Sequence, residues 1–199
     1  MKVVGLTGGI ATGKSTAASM LLELGARIID ADELAREIVQ PGKDAWKEIV
    51  EAFGEEILRG DRTIDREKLR RIVFQDEKKR KRLEAITHPR IRSLAREKMQ
   101  KLAAEGAEIV VYVAPLLFET QVHLWIRPVI LVACDSATQR KRLRRRDGLS
   151  EEEVERHFDA QMPLEEKRRL ADVIIENNGT LDELRKRVKE VWEELLHSL

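Results

Sequence analysis

Apolar residues fall along this chain in two periodicities. Residues 3–7, 109–113 and 128–133 are hydrophobic nearly throughout, at strand length, bounded by Gly or Pro. A run that is apolar on both faces is what a parallel strand buried between two layers requires. Two shorter stretches, 26–29 and 172–176, predict a second and a last strand. Elsewhere the apolar positions recur at helical spacing. Residues 14–24 carry Met20, Leu21 and Leu24 on one face and stop at Gly25. Helical signal resumes over 33–39 and breaks at the turn dipeptide Pro41-Gly42. Asp65 predicts a cap for a helix bearing Leu69, Ile72 and Val73, and Asp76 a cap for the next, through Leu83 and Ile86. Thr87-His88-Pro89 predicts a break, with Pro89 in the first turn of a new helix to about residue 104. Ser136 with Gln139, and Ser150 with Glu153, have capping-box spacing. Residues 181–196 form a terminal amphipathic pattern.

Strands alternating with helices imply an α/β sheet covered on both faces. The stretch from about Arg36 to Gly106 has no strand signal and interrupts the alternation between the second and third strands. It is expected to be a helical insertion, and residues 136–170 a second, lid-like one. A core is then expected from 1–35, 106–135 and 171–199, with 36–105 as the helical insertion.

With 199 residues, 42% of them hydrophobic, the chain suffices for one domain with an ordinary core. Charged residues reach 37%, above the usual quarter, which fits long helices with solvated faces. The charges nearly cancel at +1, so basic clusters are expected to serve small anionic ligands and not nucleic acid. The single Cys134 excludes an intrachain disulfide and fits a reducing compartment. No apolar run approaches the ~20 residues of a membrane helix. A cytoplasmic protein is expected, as a monomer or weak homo-oligomer.

Gly8-Gly9-Ile10-Ala11-Thr12-Gly13-Lys14-Ser15, followed by Thr16, matches G-x-x-x-x-G-K-[ST] between a strand and a helix. Glycines let the backbone turn so that successive N–H groups face an anion, and the helix adds its N-terminal dipole. Lys14 is expected on the β- and γ-phosphates of ATP, and Ser15 on a bridging Mg²⁺. Transfer to an alcohol wants a carboxylate that orients the hydroxyl and accepts its proton. Asp32 lies just past the second strand, on the sheet edge where ligands of open α/β sheets gather. Asp30 competes for that role, and either could simply cap the next helix. The run from Arg140 to Arg146 reads as a lid over phosphate, a solvated helix face or a nucleic-acid patch. At helical spacing Arg142 and Arg146 share one face.

LTGGIATGKST from Leu6, IIDADELAR from Ile28, Thr87-His88-Pro89, Ala114 to Glu119, Arg146-Asp147-Gly148-Leu149-Ser150, Gln161-Met162-Pro163, Glu166-Lys167, Ala171-Asp172 and Asn177-Asn178-Gly179 occur in order over nearly the whole chain. Together they resemble the dephospho-coenzyme A kinase family. The resemblance implies a three-layer P-loop kinase fold, a parallel sheet flanked by helices, with a helical substrate-binding insertion and a helical lid. It implies transfer of the ATP γ-phosphate to the ribose 3′-hydroxyl of dephospho-coenzyme A, the last step of coenzyme A synthesis. Asp32 then matches the general base. Arg36, His88 and Pro115, Leu116, Leu117, Phe118 and Glu119 match acceptor-side positions. Arg142 and Arg146 match the lid, and Asn177 with Gly179 the loop near the adenine.

Plainer roles stand beside these. His88 could cap a helix, Leu116 to Phe118 could be core, and Glu119 could be a helix-start acid. Two positions depart from the family pattern. Ala114 stands where some relatives carry an acid, so no second Mg²⁺ carboxylate is visible in that strand. His157 stands where many carry Arg. Another metabolite kinase of the same fold, acting on a nucleoside monophosphate, shikimate or gluconate, is the nearest alternative, and a nucleotide-dependent switch a more distant one.

Overall fold

A computed structural model describes residues 1–197. Five strands run in parallel pairings: β1 (Lys2–Gly8), β2 (Arg27–Asp30), β3 (Ile109–Val113), β4 (Val129–Ala133) and β5 (Val173–Glu176), in spatial order β2-β3-β1-β4-β5. Lys2 faces Ile109 across one edge of β1 and Gly5 faces Val129 across the other, while Ile130 of β4 faces Val173 of β5. Every residue of β3 and β4 is buried, as their unbroken apolar runs require. The chain leaves β1 toward one side for β2 and β3 and returns to its other side for β4 and β5. The carboxyl end of β1 is therefore the switch point, where open sheets of this kind form a crevice.

On one face lie α1 (Lys14–Glu23) and the terminal α9 (Leu181–His197). Ala17, Met20 and Leu21 of α1 and Leu184, Val188, Val191 and Leu195 of α9 join Val4, Leu6, Val111 and Ile130 in one core cluster. Each fully buried Leu or Val contributes about 1.5–3 kcal/mol relative to exposure. The cluster thereby fixes where α1 starts, and with it the loop that precedes α1. Of the helices after β4, α8 (Leu164–Leu170) packs against β4, and α6 (Ser136–Asp147) packs against α7 (Glu151–Asp159).

The chain divides into two compact units. One combines Met1–Ile29 with the chain from Leu102 onward; the other is Asp30–Lys101. The second unit contains α2 (Ala31–Glu37), α3 (Asp44–Phe53), α4 (Arg66–Gln75) and most of α5 (Glu77–Ala104). Its own core gathers Ile38, Ile49, Phe53, Ile57, Ile64, Leu69 and Ile86. Asp65 caps α4 by accepting from Lys68 N at 3.0 Å, and Asp76 accepts from Lys78 N at 2.8 Å ahead of α5. Ser150 and Glu153 form the reciprocal box at α7.

Two local expectations are corrected. No break occurs at Thr87-His88-Pro89: α5 runs through it as one helix of 28 residues. Proline removes one N–H, whose partner would be the carbonyl four residues back. Around that gap Thr87 Oγ1 donates to Leu83 O at 2.9 Å and Arg90 donates to Ile86 O at 2.7 Å, so side chains serve neighbouring carbonyls of the same turn. His88 is thus exposed mid-helix and caps nothing. At α6 the cap is Asp135, accepting from Thr138 N at 2.7 Å, and not Ser136. The stronger carboxylate acceptor wins the N-cap, which releases Gln139 for another contact. Among the described residues no helix is long and apolar enough to cross a membrane.

Candidate active site

The loop between β1 and α1 is shaped by two left-handed residues, Ala11 at φ 57° and Gly13 at φ 94°. Left-handed residues set among ordinary ones turn consecutive N–H groups toward one point and make a concavity for an anion. A Cβ on Gly13 would collide with Asn177 Nδ2, and one on Gly8 would stand 2.8 Å from Val132 O. The two outer glycines of the motif are therefore needed for close approach of neighbouring chain. Thr12 is fully buried, its Oγ1 donating to Gly9 O at 2.9 Å, so it braces the turn from within. Ser15 and Thr16 are exposed in the first turn of α1, beside Lys14.

Three carboxamides hold this loop from outside. Gln161 Oε1 accepts from Ile10 N at 3.0 Å, Gln139 Nε2 donates to Ile10 O at 2.7 Å, and Asn177 Nδ2 donates to Thr12 O at 2.7 Å. Gln139 and Asn177 are buried. Asn177, expected near the adenine, is thus occupied with the loop backbone, while Gly179 lies exposed beyond β5. A cleft of about 800 Å³ opens beside the loop, with Ile10, Cys134, Gln139, Phe158 and Gln161 among its walls. In it Arg140 pairs with Glu155 and lies 4.7 Å over the Phe158 ring. Cys134 is buried, and burial pushes its thiol up, against the opposing pull of Arg142 beside it.

The two arginines expected in a lid differ in surroundings. Arg142 is partly buried, with one terminal nitrogen shielded from solvent and without a partner among the described residues. Arg146 is exposed and held bidentately by Asp147, both bonds at 2.7 Å, which raises the Arg146 pKa and lowers that of Asp147.

After β3 the backbone turns at Ala114, whose N–H bonds Leu6 O at 3.0 Å. Leu117 and Phe118 are 0% and 2% exposed, whereas Leu116 is 39% exposed. The expected apolar rim therefore reduces to Leu116, because the next two side chains are consumed by the core. Glu119 begins no helix. Its Oε1 accepts from Met162 N at 2.9 Å and pairs with the fully buried Lys167 at 2.9 Å, and Lys167 also donates to Pro115 O at 3.0 Å. Sequence reasoning gave Lys167 and Gln161 no role of their own and read Gln139 only as part of a capping box. Gln139 and Lys167 are polar residues at core-facing helical positions and Gln161 sits in the connection between α7 and α8; such residues read as solvated when the partner is distant in sequence.

In the second unit Asp30 is the N-cap of α2, accepting from Asp32 N at 2.7 Å. The capping role falls to Asp30, and the Asp32 carboxylate is left exposed in the first turn. Arg36 ends α2. Arg66, which sequence reasoning missed, opens α4: burial lowers its pKa, the like charge of Arg36 lowers it further, and Asp32 works the other way. Asp32, Arg36 and Arg66 thus share one electrostatic neighbourhood. Among the described residues no group of three or more His, Cys, Asp or Glu is gathered as for a metal.

This arrangement recurs in known proteins. A model of the dephospho-CoA kinase family matches residues 2–183. A dephospho-CoA kinase of Geobacter sulfurreducens is 50% identical over 192 residues, covering 96% of this chain and 98% of its own. One from Arabidopsis thaliana is 44% identical, covering 100% of this chain and 86% of its own. The solved dephospho-CoA kinase of Campylobacter jejuni superposes with a TM-score of 0.74 at 33% identity, over 100% of this chain and 99% of that one. A shikimate kinase of Acinetobacter baumannii, at 17% identity and a TM-score of 0.55, shares the fold alone. With a phosphate-binding loop at the switch point of its sheet and relatives matching it end to end, this chain belongs to the dephospho-CoA kinase family.

Proposed function

We propose that the chain transfers the γ-phosphoryl group of ATP to the ribose 3′-hydroxyl of dephospho-coenzyme A, giving coenzyme A and ADP, the last step of coenzyme A biosynthesis. The observation that carries this is the left-handed pair Ala11 and Gly13 opening into α1, within a chain matched by the family over residues 2–183. Amides of residues 11–16 and the α1 dipole bind the triphosphate, and Lys14 neutralises its β- and γ-oxygens. An exposed Ser15 hydroxyl at the same helix start suits Mg²⁺, which takes oxygen ligands and keeps several waters. When bound, the ion would draw charge from the phosphate oxygens.

Asp32, free of capping duty, orients the acceptor hydroxyl and takes its proton. Arg36 and Arg66 supply positive charge on the acceptor side, and His88 and Leu116 add polar and apolar contacts there. Pro115 and Glu119 serve this side indirectly, through the backbone that Lys167 holds. Arg142 and Arg146 stabilise charge during transfer; Arg146 must first leave Asp147. On this reading Gly8, Gly9, Ile10, Thr12, Asn177 and Gly179 shape the nucleotide site. The same reading makes residues 136–170 a lid and 36–105 the acceptor-binding part. It places the enzyme in the cytoplasm as a monomer or weak homo-oligomer, without nucleic acid.

The test is ADP release with dephospho-coenzyme A, shikimate, gluconate and a nucleoside monophosphate in parallel. Release stimulated by dephospho-coenzyme A alone supports the assignment; release no greater than with water removes it.

A further inference from the structure

Ile10 is the first loop residue past the glycine pair, and both of its backbone groups are taken. Its N–H donates to Gln161 Oε1 at 3.0 Å and its C=O accepts from Gln139 Nε2 at 2.7 Å. The two glutamines come from different elements: Gln139 lies in α6, and Gln161 in the connection between α7 and α8. Fixing both groups fixes the peptide planes on either side of Ile10. The plane on its carboxyl side carries the N–H of Ala11, the residue held at φ 57°. A non-glycine residue there is strained by about 1 kcal/mol or more and persists only when its surroundings enforce it. In Ala11 the loop lacks the glycine that would adopt this angle freely, so the enforcement has to come from neighbouring contacts.

Gln161 is itself anchored. The next residue, Met162, donates its N–H to Glu119 at 2.9 Å, and Glu119 is held by the buried Lys167. The Gln161 carboxamide is thereby delivered to the loop from a rigid base and not from a free connection.

We propose that Gln161 and Gln139 are positioning residues that pre-organise the phosphate loop by clamping Ile10, with Glu119 and Lys167 as the base of the clamp. The proposal rests on the nucleotide reading above and deepens it: two amide side chains, one a neutral acceptor and one a neutral donor, set the loop amides before a triphosphate arrives. Loop order supplied in advance is not taken from binding energy, so the clamp's effect falls on nucleotide affinity. Neutral amides suit the place, because a carboxylate at Gln161 could accept the same hydrogen bond but would repel phosphate.

The test compares the wild type with Gln161→Met, which keeps length but removes the acceptor, and Gln161→Glu, which keeps an acceptor and adds charge. Two quantities are read: hydrogen exchange at the Ile10 amide of nucleotide-free protein, and steady-state constants for ATP and dephospho-coenzyme A. For Gln161→Met we expect Ile10 exchange to accelerate about tenfold and KM for ATP to rise roughly tenfold, the scale of one buried hydrogen bond, with kcat and acceptor KM within about twofold. For Gln161→Glu, Ile10 stays protected while ATP still binds more weakly. An unchanged ATP KM in Gln161→Met overturns the clamp, as does unprotected Ile10 in Gln161→Glu. A wild-type enzyme that ignores dephospho-coenzyme A would instead remove the functional reading, and the exchange measurement would still decide the clamp.

Discussion

Lys167 offers a sharp test of how the turn after β3 is fixed. Its side chain is 0% exposed, yet it carries a charge partner in Glu119 at 2.9 Å and a carbonyl partner in Pro115 O at 3.0 Å. In Lys167→Met the volume is nearly kept, so packing changes little. Glu119 is left with Met162 N as its one remaining hydrogen bond, and its Oε2 is already buried without a partner. Removing one member of a buried ion pair costs about 3–5 kcal/mol, because the other charge stays desolvated. Glu119 is 23% exposed, so water recovers part of that, and the expected loss is near the lower end, about 3 kcal/mol. That is on the order of a hundredfold in the folding equilibrium. Urea unfolding of the wild type, Lys167→Met, Glu119→Gln and the double variant would measure it. In the double variant the buried charge is gone while a Gln oxygen still accepts from Met162 N, so more than half the loss should return. A loss below about 1 kcal/mol in Lys167→Met, or a double variant as unstable as the sum of the singles, would refute the pair as the fastener of this turn.

Other outcomes follow from the same geometry. Gly13→Ala places a methyl group against Asn177 at a φ of 94°, so ATP affinity by calorimetry should fall at least about tenfold; unchanged affinity would contradict the loop conformation. Asp32→Asn should keep ATP affinity and lower turnover roughly 10²–10⁴-fold, while Asp30→Ser, which preserves a capping oxygen, should keep most turnover; the reverse pattern would exchange the two roles. Burial alone would raise the Asp172 pKa, but Arg127 and the Val129 N–H more than offset it and the net direction is down. A lowered folded-state pKa adds stability above the ordinary aspartate value of ~3.9, and that stability is lost as pH falls through the folded value. At 37% exposure the contribution is screened to about 1 kcal/mol, so Asp172→Asn should lose about that much at pH 7, with the difference from wild type shrinking as pH falls through the folded-state value; a pH-independent difference would exclude the ion pair as its source.

The central strands were legible because β3 and β4 are apolar on both faces. Residues 109–113 predicted β3 to the residue, and the glycine motif predicted the β1 to α1 junction. The unbroken α5 was not legible. Pro89 is a local stop signal, and only the helix as a whole shows that one missing N–H is tolerated when Thr87 and Arg90 serve nearby carbonyls. Gln139 was misread for a related reason: Ser136 and Gln139 have capping-box spacing, but Asp135 one residue earlier is the better acceptor. The loop residues themselves were readable from spacing, while their supports were not. Ile10 and Gln161 are 151 residues apart, and Asn177 and Thr12 are 165 apart. No periodicity encodes such pairs. Likewise the core claimed Leu117 and Phe118, with Leu117 packed over Gly5 of the central strand β1, which an apolar run alone does not reveal.

The central claim is a phosphoryl transfer to a specific hydroxyl, and product analysis tests it most directly. The protein should be incubated with ATP and dephospho-coenzyme A, and the product examined by phosphorus NMR and mass spectrometry. The account predicts one added phosphate, as a monoester on the ribose 3′-oxygen, in amount equal to the ADP formed. ADP without a phosphorylated acceptor, or phosphate attached at any other position, would contradict it.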